Sequence, residues 1–484
     1  MRGLGLVNAK STQGSINVYP PSTEFPPLVG TYDGNYVSCA NANWPPPGPG
    51  GNVGHVLKPQ APDKHLQAAL AEVSPERIKD IIAKLVSFGT RHTLSPQNDT
   101  QRGIGAARDW IASEFERFAE ESDGRMVVDV PGYIQPPANR VPEPVKISNV
   151  RATLEGTSDP QRYYVTMGHY DTRVSDPMNW WDDQPGANDD ASGVAVAMEL
   201  ARIMAKHKHA ATLVFAAVAG EEQGLLGSNF LAQTYRNASV NVEGVINVDL
   251  VGSSTGSRGE KEPNTVRMFC QGPPLTESDE DASTRLSIGG ENDSPARNLG
   301  RFIAEVATNR FTDMKVAMVY RLDRFLRGGD HRSFLEAGYA SAVRFTEPNE
   351  DFAHQHQDIR VEDGKQYGDL EEFLDYDFIA RVARVDLAAM WSLANAPGTV
   401  RNVTVDTSDL GNDTRLRWAR LESGDVEGYE VVWRATDAPQ WTHAQFVGNV
   451  EATTVELTID NVIFGVRSVG KNGYRSPATI PFPA

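Results

Sequence analysis

Two adjacent glutamates, Glu221 and Glu222, close the stretch TLVFAAVAGEE, where nearly continuous apolar sequence meets like charges. A strand of that composition is expected to be buried on both faces, and strands of open α/β sheets present ligands at their carboxyl ends. Two carboxylates losing hydration side by side there repel each other unless cations or a shared proton compensate. The plainer alternative is that both emerge into water before GLLGSNFLAQTYR begins a helix. Three more segments offer similar chemistry. YYVTMGHYDTR is an apolar strand ending at His169, with Asp171 two residues on. A liganding imidazole usually gives its second N–H to a carboxylate, so one of the pair can bind a metal while the other orients it. Alone, H-x-D favours the ordinary reading, a strand-end histidine with a solvated aspartate, because so short a pattern recurs by chance. In GANDDASGVAVAMELARIMAKH, Asp189 and Asp190 precede a helix whose Val194, Ala197, Met198, Ala201, Met204 and Ala205 form one apolar stripe. An aspartate there either caps the helix and complements its dipole or, as Asp189, gives one oxygen to each of two cations. VEGVINVDLVG then ends in Asp249, and DFAHQHQDIR carries His354 and His356 in a polar loop.

Taken together, His169, Asp189, Glu222, Asp249 and one of the two late histidines make five N/O ligands spread over strand ends and loops. That mix suits a pair of zinc ions sharing the aspartate, and the lack of thiolates argues against a closed structural zinc site.

The elements that must position these groups fall into three textures. Residues 1–60 are rich in Pro, Gly, Asn and Ser, as in NWPPPGPGGN, and read as an irregular extension that wraps the body or stays mobile. Across residues 61–396, helical patterns such as SPERIKDIIAKLVSFG and GIGAARDWIASEFERFAEE alternate with short apolar runs. This predicts an α/β domain, a mixed and mostly parallel central sheet with helices on both faces. Residues 397–484 change to short alternating segments, TRLRWARL, EGYEVVWRA, TTVELTI and IFGVRSVG, which predict a small β-sandwich.

Bulk properties exclude several partners. Forty-six Lys and Arg against 64 Asp and Glu give a net charge of −18, which repels nucleic acid and anionic membrane surfaces. No stretch approaches the ~18 apolar residues of a membrane span, and the first thirty residues lack the apolar core of a secretory signal, so a soluble chain without its own export signal is expected. Cys39 and Cys270 are expected to be free buried thiols rather than a disulfide.

GHYDTR, GANDDASGVA, AGEEQGLLGS, NVDLVG and GGDHRSFLEAGYASAVRFTE resemble, in order and spacing, the motifs of two-zinc aminopeptidases related to bacterial leucyl aminopeptidase, within the zinc exopeptidase superfamily. The resemblance covers roughly residues 70–395. It implies His169, Asp189, Glu222, Asp249 and His354 or His356 as ligands of two Zn2+ ions, Glu221 as general base, Asp171 holding His169, and a peptide as substrate. In the family the late histidine is usually followed four residues on by Asp, which favours His354 with Asp358. Ala353 stands where the family commonly has Tyr, which leaves His356 as the alternative. Asp330 and His331 border the substrate pocket in such enzymes, but a loop before a short helix explains them equally well. Carboxypeptidase action remains open, with Arg173, Arg324 and Arg327 near the motifs as partners for a terminal carboxylate. Glutaminyl cyclases of the superfamily hold one zinc and lack the full set, so His169 with Asp249 counts against that reaction, as an intact Glu221 counts against a non-catalytic binding protein. The tail resembles a fibronectin type III module, with Trp418, Tyr429 and Val431 inward, and reads as a scaffold. Related enzymes are often exported, so the resemblance implies an extracellular or periplasmic home; the oligomeric state is left open.

Overall fold

In the computed structural model, which describes residues 53–408 and 411–484, the apolar runs become one eight-stranded sheet. Its strands are Met126–Asp129 (β1), Val150–Leu154 (β2), Asp159–His169 (β3), Ala211–Val218 (β4), Asn241–Val248 (β5), Thr265–Cys270 (β6), Lys315–Val319 (β7) and Ala342–Thr346 (β8). They lie in the order β7-β6-β8-β5-β3-β4-β2-β1. The middle of the sheet is parallel, with β4, β3, β5 and β8 running together. Antiparallel pairings flank it, β6 on β8 and β2 on β4. The expected mixed, mostly parallel sheet is therefore present.

Helices cover both faces, as crossovers between parallel strands require. On one face Pro75–Val86 (α1), Ile104–Ala119 (α2), Ala191–Met204 (α3), Pro295–Ala307 (α5) and Tyr376–Asn395 (α6) pack on Tyr164, Phe215, Ile246 and Val248. On the other, Leu226–Asn237 (α4) and His331–Glu336 pack on Val165, Val214, Ala216 and Val245. Local chemistry sets the helix starts: Ser74 caps α1 by accepting the Arg77 N–H ahead of Pro75, and Asp375 caps α6 through Phe378 N. The stripe expected on α3 understates its burial. Nearly every α3 residue is buried, including Glu199, which α3's own Arg202 pairs at 2.7 Å and Arg77 of α1 at 3.4 Å.

The tail forms two sheets around a common core. Arg401–Val405, Thr414–Ala419 and Ala452–Val455 make one, and Val426–Ala435, His443–Gly448 and Val462–Gly470 the other. Trp418, Tyr429 and Val431 are buried between them, with the Trp418 and Tyr429 rings 5.4 Å apart. The end of the Pro/Gly-rich extension is ordered, because His55–Val56 adds an edge strand to His443–Gly448. Cys270 is a free buried thiol, and Cys39 lies outside the described residues.

One buried acid ties α6 to the central strand. Asp386 accepts a 2.6 Å hydrogen bond from the Thr166 hydroxyl, its other oxygen has no partner, and burial pushes the carboxyl up to about 7. A group whose folded pKa is raised favours the fold when protonated, so this contribution is full below about pH 4 and is lost as pH rises through about 7. Asp386→Asn is therefore expected to raise the melting temperature relative to wild type at pH 8 and to narrow that gap at pH 5. Three pKa units bound the effect at about 4 kcal/mol. Parallel melting curves across that range would count against it.

Candidate metal centre

The register of the sheet brings three carboxyl ends together. His169, the last residue of β3, sits opposite Val218 of β4, and Met167 of β3 opposite Asn247 of β5. Glu221 and Glu222 follow β4, and Asp249 follows β5, so all arrive at one edge. The start of α3 closes on them. A Cβ at Gly193 would lie 1.9 Å from the Val248 carbonyl oxygen, so only glycine lets α3 begin this close to β5.

The two aspartates before α3 divide the work. Asp190 caps the helix by accepting from Gly193 N at 2.9 Å, and it also accepts the His169 N–H at 3.0 Å and the Leu250 N–H at 3.3 Å. Asp189 faces the other way. Its Oδ1 lies 3.0 Å from His169 Nε2, and its Oδ2 lies 2.9 Å from His356 Nε2 and accepts from Gln355 Nε2 at 3.0 Å. Below it, Asp369 accepts the Asn188 and Asp189 N–H groups at 2.8 and 2.7 Å.

Among the described residues two groups able to hold a metal ion result, His169 with Asp189 and Asp249, and Asp189 with Glu222 and His356, each with ligand atoms within 4.8 Å of one another. Asp189 belongs to both, one oxygen to each. His356 Nε2 stands 2.8 Å from Glu222 Oε1, yet that oxygen has no hydrogen-bond partner, the relation of two ligands aimed at one point rather than at each other. Burial alone would lower both imidazoles. The Asp171 and Asp189 carboxylates instead raise His169 well above its ordinary value, and Glu222 and Asp189 raise His356 to about 10. Such a cage demands positive charge, and a metal binding there would displace the protons. These residues fit zinc in kind and burial.

His354, favoured over His356 on its spacing to Asp358, is not brought to either group. Its ring stacks on Phe373 with centroids 3.7 Å apart, and Asp358 accepts instead from the Ser175 hydroxyl at 2.7 Å. His356 lies beside Asp189 and Glu222 instead, its backbone left-handed at φ 54°. Asp171 also differs from expectation in which of its atoms does what. Its main-chain carbonyl lies 3.1 Å from His169 Nδ1, whereas its carboxylate stands 3.7 Å away. That carboxylate accepts the Glu221 N–H at 3.2 Å, the Glu222 N–H at 3.1 Å and the Thr93 hydroxyl at 3.2 Å.

Glu221 is aimed into a cavity of about 750 Å³ that His169, Asp189, Glu222, Asp249 and His356 also line. Burial, with Glu222, Asp330 and Asp249 nearby, pushes its carboxyl well up, against the pull of His169. Two neighbours escaped the sequence reading. Arg344 of β8, fully buried, lies 3.1 Å from Asp249 Oδ2 and pairs with Asp323 at 2.7 Å. Asp369 is the other, buried and raised to about 7. A charge inside the apolar strand ASAVRFTE was the available signal for Arg344; a lone loop aspartate gave none. Asp330 is buried, as is His331, which meets the Leu322 carbonyl at 2.8 Å.

Imidazoles and carboxylates converging at the carboxyl ends of a parallel sheet define a metal-binding α/β protein. Comparison with known proteins gives the family. The profile of peptidase family M28 matches residues 149–363. A "probable zinc metalloprotease" of Pyricularia oryzae is 68% identical over 464 residues, covering 95% of this chain and 92% of its own length. Another, of Pyrenophora tritici-repentis, is 59% identical over 464 residues, covering 96% and 95%. The chain belongs to peptidase family M28, the family of these zinc metalloproteases. Among solved structures, the LapA aminopeptidase of Legionella pneumophila is similar with a TM-score of 0.48 and 20% identity, over 69% of this chain and 75% of that one.

The Asp171 geometry makes a specific demand. Asparagine has one oxygen where two backbone N–H groups need acceptors, so Asp171→Asn leaves a buried donor facing another donor, at a cost of about 1–3 kcal/mol. Both the melting temperature and the peptidase rate are expected to fall. An unchanged rate in a normally folded variant would show that the glutamate pair does not depend on this carboxylate.

Proposed function

We propose that the chain is a two-zinc aminopeptidase that removes N-terminal residues from peptides. The observation that carries this reading is the division of Asp189, one oxygen toward His169 and Asp249, the other toward His356 and Glu222, with Glu221 beside them and outside both groups. His169, Asp189 and Asp249 would hold one ion, and Asp189, Glu222 and His356 the second. When bound, the pair supplies Lewis acidity that lowers the pKa of water and polarises the scissile carbonyl. The chain's own contribution is proton traffic. Glu221 takes a proton from the water as its oxygen bonds to the carbonyl carbon, then delivers it to the amine nitrogen as the C–N bond breaks. Asp171 positions this base through the Glu221 N–H, and Arg344 offsets the charge of Asp249 from behind.

The tail, read as a fibronectin type III-like scaffold, is part of the same proposal. Its Arg434 pairs with Asp293 at 2.6 Å and its Arg467 with Glu305 at 2.8 Å, both inside the body's α5 region, which supports a packing role. An extracellular or periplasmic location rests on the resemblance alone; the five N-x-S/T sequons, at exposed Asn98, Asn237, Asn292, Asn402 and Asn412, arise readily by chance and add little to it. Among the described residues no helix is long and apolar enough to cross a membrane.

Two measurements test this reading. Zinc bound per chain is expected to be two, to fall in His356→Ala and to stay unchanged in His354→Ala; the reverse pattern would return the ligand role to His354. Aminoacyl-p-nitroanilides are expected to be cleaved in a chelator-sensitive, zinc-restored reaction, and Glu221→Gln to lower kcat by about 10²–10⁴ with zinc retained. Cleavage confined to N-blocked peptides would replace aminopeptidase by carboxypeptidase action.

A further inference from the structure

The wall of the cavity gathers four arginines although the whole chain carries −18. Arg140, Arg173, Arg324 and Arg327 line it, and its acids are Asp189, Glu222, Asp249 and Glu221. Zinc would more than neutralise the first three, leaving Glu221 as the one acid of the lining against four guanidinium groups.

Three of those arginines have other duties. Arg324 lies 3.1 Å from Asp323 and 3.2 Å from Glu350 Oε2. Arg140 donates to the Glu222 main-chain carbonyl at 2.8 Å. Arg327 lies 3.0 Å from the same Glu350 oxygen that Arg324 uses, while Arg267 takes the other oxygen at 3.0 Å, so one carboxylate serves three cations. Arg173 is different. It donates to the main-chain carbonyls of Val174 and Ser175 at 3.1 and 3.4 Å, and among the described residues the one carboxylate within ion-pair range is Glu222 Oε2, at 3.9 Å. Its side chain is 14% exposed, so water does little to replace an acid, and it stands four residues beyond His169 on the same segment.

We infer that Arg173, with Arg327 on the same wall, forms a subsite for a substrate carboxylate next to the scissile bond. A guanidinium offers a planar pair of N–H donors that matches a carboxylate and is poorly matched by a neutral amide. The carboxylate has two possible sources, the side chain of an N-terminal Asp or Glu, or the free C-terminus of a peptide. This rests on the proposed exopeptidase reading for the position of the scissile bond, but the cation itself is read from the cavity alone.

The test compares acid with amide in matched pairs using the zinc-loaded full chain. Rates are measured on Glu- and Gln-p-nitroanilide, and on N-blocked dipeptides with a free or an amidated C-terminus. Binding of glutarate and of its monoamide is measured by calorimetry, which needs no turnover. Wild type is expected to favour the acid at least tenfold, Arg173→Ala to bring the ratio toward one, and Arg173→Lys to keep part of it. A preference in the first pair identifies the side chain as the source, and in the second the C-terminus. Glutarate discrimination that depends on Arg173, without cleavage of any peptide, would overturn the exopeptidase reading and uphold the subsite. Cleavage of neutral substrates, with an acid-to-amide ratio near one or one that Arg173→Ala does not change, would overturn the subsite and leave the exopeptidase reading standing.

Discussion

Mutual repulsion among carboxylates is the constraint around which the catalytic half is organised. Asp189, Glu222 and Asp249 are nearly excluded from water, and ligand atoms in each group lie within 4.8 Å of one another. Unit like charges at that spacing repel by roughly 3 kcal/mol even at an effective dielectric constant of 20. Arg344 answers part of Asp249's charge, and the two imidazoles, drawn toward protonation, answer part of the rest. Among the described residues no other cation lies within ion-pair distance of Asp189. A site so deficient in positive charge, and so rich in oxygen and imidazole ligands, is stabilised by divalent metal, which is consistent with membership of a zinc metalloprotease family.

The sheet is what makes such crowding possible. Backbone strands held about 4.8 Å apart by their ladders deliver side chains at fixed spacing, whatever those side chains prefer. β4, β3 and β5 are neighbours, buried on both faces, and their ends cannot drift apart without breaking the core. Asp190 and Asp171 finish the job by accepting backbone N–H groups from the segments that carry His169, Glu221 and Glu222. The same two acids show why neighbouring polar residues, adjacent in DD and one residue apart in HYD, have unlike roles. One member turns to the centre, and the other holds the chain that brings it there.

This explains what was legible in the sequence. Apolar runs that stop at an acid or a histidine identify buried strand ends, and β3, β4 and β5 were readable on that signal, with His169, Glu222 and Asp249 attached to them, while Asp189 was readable from its place before the apolar stripe of α3. The late histidine was not readable in the same way. DFAHQHQDIR has no periodicity, and which of the two rings lies beside Asp189 and Glu222 goes with a left-handed backbone at 356 and with Phe373 offering its ring to His354. Neither follows from local spacing. The role of Asp171's carboxylate was hidden for a related reason, because its partners are main-chain N–H groups fifty residues away. The edge strand His55–Val56 was missed because two residues are too few to show alternation.

The tail's place in this arrangement follows from charge burial as well. Arg434 and Arg301 converge on Asp293, while Arg467 is shared by Glu305 of α5 and Glu430 of the tail; the three arginines and Asp293 are fully or almost fully buried. Removing one partner from such a cluster leaves an uncompensated charge, so the two parts separate only at high cost. α5 packs in turn against β6, β7 and β8, and β8 carries Arg344 to Asp249. The tail therefore braces the helix beneath the strand that carries Arg344 to Asp249, one of the acids able to hold a metal. A freely tethered module would have no reason to bury arginines against the body.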